Sequence, residues 1–421
     1  MTTATQSLLR QRGGRDSGKV SMVELFFDLV FVFAVTQLSH TLLGHLTPRG
    51  SQQTLMLLLA VWWVWIYTSW VTNWLDPERI PVRLCLFALM LAGLLLSVSI
   101  PEAFDERGLL FAAAYVVMQV GRTLFFLWAV RRVPLNMRRN FQRILVWLSL
   151  SGACWMVGGF AGGGTRVGWW SLALLLEFLA PWLYFWVPGL GRSSIADWDI
   201  DGSHMAERCA LFVIIALGES LLVTGATFAE LPWSASTISA FLVAVLGSIA
   251  MWWIYFDTGV ARAHHRIVSS SDPGRQARVA YTYCHALIVA GVIVCAVADE
   301  LVLVHPGHAS NPGVAAILGG PAFYLLGNAL FKWVTNDRRG PPLSHLVGLL
   351  LLALLAWPAF GHQLTFGHQL SSLALGAATT CVFGVVALWE SIALRRPVDR
   401  RSVASTSTGV LCADYDAGER D

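Results

Sequence analysis

An all-α, polytopic membrane bundle of about twelve transmembrane helices is the fold this sequence predicts, on three observations. Only 13% of the 421 residues are charged, against about a quarter in soluble chains. Hydrophobic residues make up 56% and fall in blocks of roughly 20, enough for a helix to cross a hydrocarbon layer about 30 Å thick. Basic residues alternate between successive loops, the pattern of a chain that crosses a membrane repeatedly. This composition argues against a soluble enzyme, and a formal charge of +3 concentrated in loops does not suggest nucleic-acid binding.

Apolar blocks bounded by Pro, Gly and Arg define the spans in order. The first, Val23 to Leu46, follows a basic segment and carries Glu24 and Asp28. The second, Gln52 to Leu75, is crowded with Trp62, Trp63, Trp65, Trp70 and Trp74, read as packing inside the span and as interfacial anchors near its ends. Ile80 to Ile100, Gly108 to Val130 with Arg122 inside it, and Asn140 to Gly162 follow. Glycines 158, 159, 162, 163 and 164 then read as a flexible outer turn, and the sixth span, Gly168 to Val187, carries Glu177. The second six run from His204 to Phe228, Thr237 to Asp257, Ala277 to Val304, Gly313 to Val334 with Asn328 and Lys332, Leu343 to Phe360 and Leu370 to Leu394. In lipid every backbone polar group needs an internal partner, so spans this apolar are expected to be helical.

The tails and even-numbered loops hold 23 of the 29 Lys and Arg, and the odd-numbered loops only Arg49, Arg107 and Arg166. By the positive-inside tendency both termini of this multi-pass protein are cytoplasmic. Residues 1–22 form a basic cytoplasmic segment with no cleavage expected, 23–394 the transmembrane domain with halves 23–188 and 204–394, and 395–421 a disordered cytoplasmic tail.

Short strings recur in matching order in the two halves. Ala88 to Glu102 aligns without gaps to Ala286 to Glu300, GRTLF from Gly121 matches GNALF from Gly327, WIY recurs at Trp65 and Trp253, and SLAL at Ser171 and Ser372. Spans six apart point the same way, so these would be parallel repeats, a common arrangement among secondary transporters. Chance matching of apolar strings is the alternative.

Charge inside a span costs at least about 2.5–3.5 kcal/mol on insertion scales, so each such group needs a partner, water or a neutral state. Glu24 and Asp28 lie four apart on one helix face, where one consequence is a proton or cation site, and for Glu24 another is simple complementation of the helix dipole. In the seventh span His204, Arg208 and Glu219 share a stripe with Glu207 beside it, facing the bundle interior either as a functional site or as salt bridges that lock helices. Arg122, Asn328 and Lys332 lie toward the same inner half, so that Glu24, Asp28 and Glu207 balance Arg122, Arg208 and Lys332. Glu177 has no sequence-local partner and is a second protonatable candidate. His285 and Asp257 are expected at exposed positions near the interface, and His264 and His265 at lipid headgroups.

No HExxH, GxxxxGK[ST] or strand-led GxGxxG occurs. The seven Cys are far apart with no CxxC spacing, so no metal site, disulfide frame or cofactor is expected. The expected partners are the lipid bilayer and a proton, a cation or a small solute.

The strings VELFFDLVFVFAVTQLSH, HMAERCALFVIIALGES and WWIYFD resemble the bacterial low temperature requirement protein A family over nearly the whole chain up to about Arg395. The resemblance implies a multi-span inner-membrane protein associated with growth in the cold, and it carries over Glu24, Phe27, Asp28, His204, Glu207, Arg208, Gly218 and Glu219 as motif positions without a catalytic role. A secondary transporter or ion-conducting protein is the preferred reading. An intramembrane enzyme acting on lipid, with His204 and Glu207 as acid and base, and a structural or regulatory protein are the alternatives.

Overall fold

Helices begin where the sequence supplies caps. In the computed structural model, which describes residues 7–10, 18–132, 135–194, 200–257, 276, 278–335, 340–365 and 371–395, the Ser21 hydroxyl accepts from the Glu24 N–H at 3.3 Å and the Glu24 carboxylate accepts from the Ser21 N–H at 2.9 Å. This reciprocal capping box starts α1 (Met22–Gly44). Thr47 caps α2 (Pro48–Trp74), whose proline occupies the first helical position, where a missing N–H costs nothing. Then come α3 (Ile80–Ser99), α4 (Gly108–Ala129) with a π-turn at Val117–Gly121, α5 (Leu135–Phe160) and α6 (Gly163–Leu179). Asp201 caps α7 (Gly202–Glu230), and Ser234 and Thr237 form a second capping box at α8 (Ala235–Phe256). The chain continues with α9 (Arg278–Val304), which opens in π-turns, α10 (Asn311–Thr335), with Pro321 inside it, α11 (Leu343–Thr365) and α12 (Ser372–Arg395).

Among the described residues there are thus twelve helices and no strand, with two isolated bridges, Leu9 to Leu75 and Val187 to Gly191. Eleven helices are long and apolar enough to cross a membrane. The remaining one, α6, has 17 residues, about 25 Å at 1.5 Å per residue.

That helix departs most from the expected bounds, starting at Gly163 rather than Gly168 and ending at Leu179 rather than Val187. Beyond it the backbone turns, with Tyr184 and Phe185 at φ 53° and 48°. The turn is held by α5, where the Arg143 guanidinium donates twice to the Leu190 carbonyl, at 2.9 and 2.8 Å, and the Trp147 indole to that of Trp186 at 3.1 Å. Non-helical backbone at a span end is tolerated when such partners exist. The glycine cluster also divides differently, since Gly158 and Gly159 lie inside α5. A Cβ on Gly159 would come within 3.2 Å of the Leu109 Cα and one on Gly158 would overlap the Trp170 ring, so Gly159 admits close packing against α4 and Gly158 against α6. The tail beyond Arg395 and the loop bearing His264 and His265 lie outside the described residues.

The helices pack in a recurring order. In the first set α1 contacts α2 and α3, then α3 meets α4, α4 meets α5, α5 meets α6, and α6 returns to α2. In the second set α7 contacts α8 and α9, then α9 meets α10, α10 meets α11, α11 meets α12, and α12 returns to α8. The α9–α10 crossing is so close that a Cβ on Gly320 would lie 2.7 Å from the Cys295 nitrogen. Small residues at such crossings let helix backbones approach where apolar burial gives no drive. Between the sets, α1 and α2 meet α7 and α9. That seam contains α2, the most enclosed of the eleven long helices, with Trp62, Trp63 and Trp65 buried, while Leu84, Leu91 and Leu95 of α3 are exposed as a lipid-facing surface would be.

Candidate functional site

The α1–α7 seam begins with a backbone anchor. The Asn73 side chain at the end of α2 accepts from the Asp201 N–H at 2.9 Å and donates to the Asp201 carbonyl at 2.8 Å, which fixes the amide's orientation. Its NH2 group then lies 3.2 Å from His204 Nδ1, making that nitrogen the acceptor and leaving the proton on Nε2, 2.8 Å from a Glu24 oxygen. The other Glu24 oxygen meets Arg10 at 3.0 Å. Arg10 is brought there because residues 8–10 run alongside the end of α2, with the Arg10 N–H donating to the Trp74 carbonyl at 2.8 Å.

Asp201 sets the register of this end of α7. Its carboxylate accepts from the Ser203 hydroxyl, from the Ser203 N–H at 2.9 Å and from the His204 N–H at 3.3 Å. Partial burial pushes the carboxyl up, but the Ser203 hydroxyl and these N–H donors together hold it below its ordinary value. The native form therefore favours the anion. This stabilisation is present above the unfolded-state pKa and is lost as pH falls through the native one. Asp201→Ala is expected to cost about 1 kcal/mol at neutral pH, and melting curves of variant and wild type should converge as the solution is acidified below the carboxylate range.

One turn deeper, Asp28 is fully buried. Its Oδ1 accepts from the Arg208 guanidinium at 2.7 Å and from the Trp65 indole at 2.8 Å, while its Oδ2 has no hydrogen-bond partner. Arg208 also lies 3.4 Å from Glu24 and 5.6 Å over the Trp65 ring, a face-on arrangement that attracts cations. Glu24, Asp28, His204 and Arg208 all have side chains at 0% exposure. Two acids oppose two guanidiniums, so with a neutral imidazole the cluster carries no net charge.

Glu219 lies on the same seam at another level, accepting from the Thr36 hydroxyl of α1. Thr36 is eight residues beyond Asp28, about 12 Å along the helix, so Asp28 and Glu219 face one interface without touching. Glu207 is on the exposed side of α7 while His204 is buried, so these two do not form a joint acid–base pair.

The remaining candidates occupy separate places. In the first set, the Arg122 guanidinium donates to the Gln119 oxygen, to Thr68 at 2.9 Å and to the Val64 carbonyl at 3.1 Å. Gln119 donates to the Tyr115 hydroxyl at 3.1 Å, and Tyr115 in turn donates to Glu177, which also accepts from the Trp155 indole at 3.1 Å. A buried carboxyl is thus linked to a guanidinium through two neutral side chains. In the second set Lys332 donates to Glu390 at 2.5 Å and to the Ile254 carbonyl at 2.8 Å, with Ser344 at 3.2 Å and His345 at 3.3 Å on the other Glu390 oxygen. Asn328 donates to the Tyr324 carbonyl at 2.9 Å. Glu24, Asp28, Arg208 and His204 meet, and Arg122 and Lys332 balance elsewhere.

A family model described as "Bacterial low temperature requirement A protein (LtrA)" matches residues 19–389. The chain belongs to that family. A protein of Rhizobium meliloti (strain 1021), described as uncharacterized, is 41% identical to it over 396 residues, 92% of each chain. No solved structure matches. As a bacterial LtrA protein whose described residues include eleven helices long and apolar enough to cross a membrane, it is a multi-pass membrane protein, and the strings that carried the resemblance supply the seam itself: Glu24, Asp28, His204 and Arg208 come from the first and seventh helices.

Several groups at or near these clusters gave little sequence signal. Arg10 lies in a polar segment, Trp65 reads as packing, and Asn73 reads as a helix end. Glu390 lies next to Trp389 near the end of an apolar block. His285, expected at an exposed position, is fully buried, with its Nε2 2.7 Å from the Tyr255 hydroxyl and its Nδ1 2.9 Å from the Ala280 carbonyl. The π-turns that open α9 carry that carbonyl to the ring.

Proposed function

We propose that this LtrA protein is a secondary transporter or ion-conducting protein of the bacterial inner membrane, with both termini cytoplasmic, in which the α1–α7 cluster binds a proton or cation. The observation that carries the reading is Asp28, a fully buried carboxylate with one oxygen engaged by Arg208 and Trp65 and the other open. Ionisable groups at membrane depth are costly enough that a functional role is the default reading of them. A proton or cation taken up at Oδ2 would compete with Arg208 for the carboxylate and so loosen the seam between the helix sets. The recurring neighbour order supports two parallel halves, 23–188 and 204–394, whose relative rocking would expose the site to either side. With all four side chains sealed from solvent, this conformation is the occluded one in that scheme.

Reconstituted in vesicles, the wild-type chain should carry protons or an alkali cation down an imposed gradient. Asp28→Asn, which keeps the shape and the acceptor for Arg208, should lower that flux at least roughly tenfold, the factor that 1.4 kcal/mol gives. Absence of wild-type flux under pH and cation gradients, or undiminished flux in Asp28→Asn, overturns the reading. A second reading, in which the cluster only clamps helices, is favoured by the complete burial of its charged groups. Under that reading Asp28→Asn changes the melting temperature alone.

A further inference from the structure

We infer a second site, apart from the α1–α7 cluster, that binds a sodium-sized monovalent cation between α8, α9, α10 and α12. A small cavity there is lined by Asp299 of α9, Thr379 and Thr380 of α12, and Ile317 and Pro321 of α10, with room of about 20 Å³, enough for a single water-sized occupant. Asp299 has no hydrogen bond or ion pair to any described residue, and no Lys, Arg or His lines the cavity.

The oxygens of the lining are held by backbone partners, with the Cys295 and Met251 side chains completing the wall. Thr379 donates its hydroxyl proton to the Gly376 carbonyl at 2.9 Å, and Thr380 donates more weakly to that of Val243 at 3.4 Å. With those protons committed, the hydroxyl oxygens have only lone pairs to offer an occupant. Pro321 has no N–H, so the Ile317 carbonyl one turn earlier loses its usual helical partner. One carboxylate, two hydroxyl oxygens and a released carbonyl form a hard, singly charged set. Such a set suits an alkali cation, whereas an anion would meet repulsion and a divalent ion would find too little charge.

The position in the fold is an independent argument. Pro321, inside the continuous helix α10, corresponds through the GRTLF and GNALF match to Tyr115 of α4. In the first helix set the equivalent space between α4 and α6 is filled by Tyr115, which donates to Glu177. In the second set the corresponding residue is a proline, whose side chain does not reach so far, and the space holds the small cavity.

The test is binding of radiolabelled sodium to the purified full-length protein in detergent, with choline holding ionic strength. About one displaceable sodium per chain should depend on Asp299, its binding falling at least roughly tenfold in Asp299→Asn and reduced in Thr380→Val. Potassium should displace the label poorly. Absence of displaceable sodium in the wild type, or equal binding in Asp299→Asn, overturns the site. Equal displacement by potassium overturns the assignment of size. If Asp299→Asn does not fold, retained full binding in Thr380→Val also overturns the site. Sodium binding that depends on Asp299 reports this site and flux that depends on Asp28 reports the α1–α7 cluster, so failure here is separable from failure of the transport reading.

Discussion

Arg208→Met is expected to destabilise the protein by about 3–5 kcal/mol, because it leaves Asp28 buried with the Trp65 indole as its remaining donor. Glu24 suffers less, since Arg10 and His204 still hold it at 3.0 and 2.8 Å. The cost therefore belongs mostly to one uncompensated charge, and removing that charge should recover it. Arg208→Met combined with Asp28→Asn should melt close to wild type, giving a strongly non-additive double-mutant cycle. Thermal melting of the purified variants by size-exclusion recovery measures this. Equal loss in the single and double variants would mean that the guanidinium acts through packing on Trp65 instead. The same double variant also separates function from clamping, because a stable protein without flux has lost a site and kept a scaffold.

How much of this was legible in the sequence depends on the length scale of the signal. Spans were legible because membrane thickness imposes a run length, and α7 begins within two residues of its expected start. The end of α6 was not, since Trp182, Leu183, Tyr184 and Trp186 continue an apolar run whose break depends on two left-handed residues and on Arg143 from another helix. In the site, Glu24, Asp28, His204 and Arg208 were legible as buried charges on helical stripes. Their grouping was only partly so. The sequence can say that Arg122 needs acceptors, but the Thr68 and Gln119 oxygens that satisfy it are neutral, and neutral partners leave no charge pattern. Glu390 was missed for a related reason, as one acid near the end of a span usually reaches water, and only the fold brings it to Lys332. Asp299 was missed because it sits beside Glu300 near the C-terminal end of α9, where an acid is ordinarily read as reaching water.

Lys332→Met should be comparably severe, about 3–5 kcal/mol, because Glu390 would retain only Ser344 and His345 among the partners described above. Glu390→Gln should cost less, since the Lys332 ammonium keeps the Ile254 carbonyl at 2.8 Å. The double variant Lys332→Met with Glu390→Gln should again recover most of the loss. The decisive comparison is between the two clusters. Arg208 and Lys332 share no described partner and lie on helices of different sets, so their single losses should add within about 0.3–0.5 kcal/mol. If the α10–α12 pair is a helix clamp and the α1–α7 cluster is a working site, the neutralised Lys332–Glu390 protein should melt near wild type and still carry flux, whereas the neutralised Arg208–Asp28 protein should melt near wild type and carry none. Loss of flux in both would assign a working role to the second-set charges as well, and retention in both would leave the seam as a clamp.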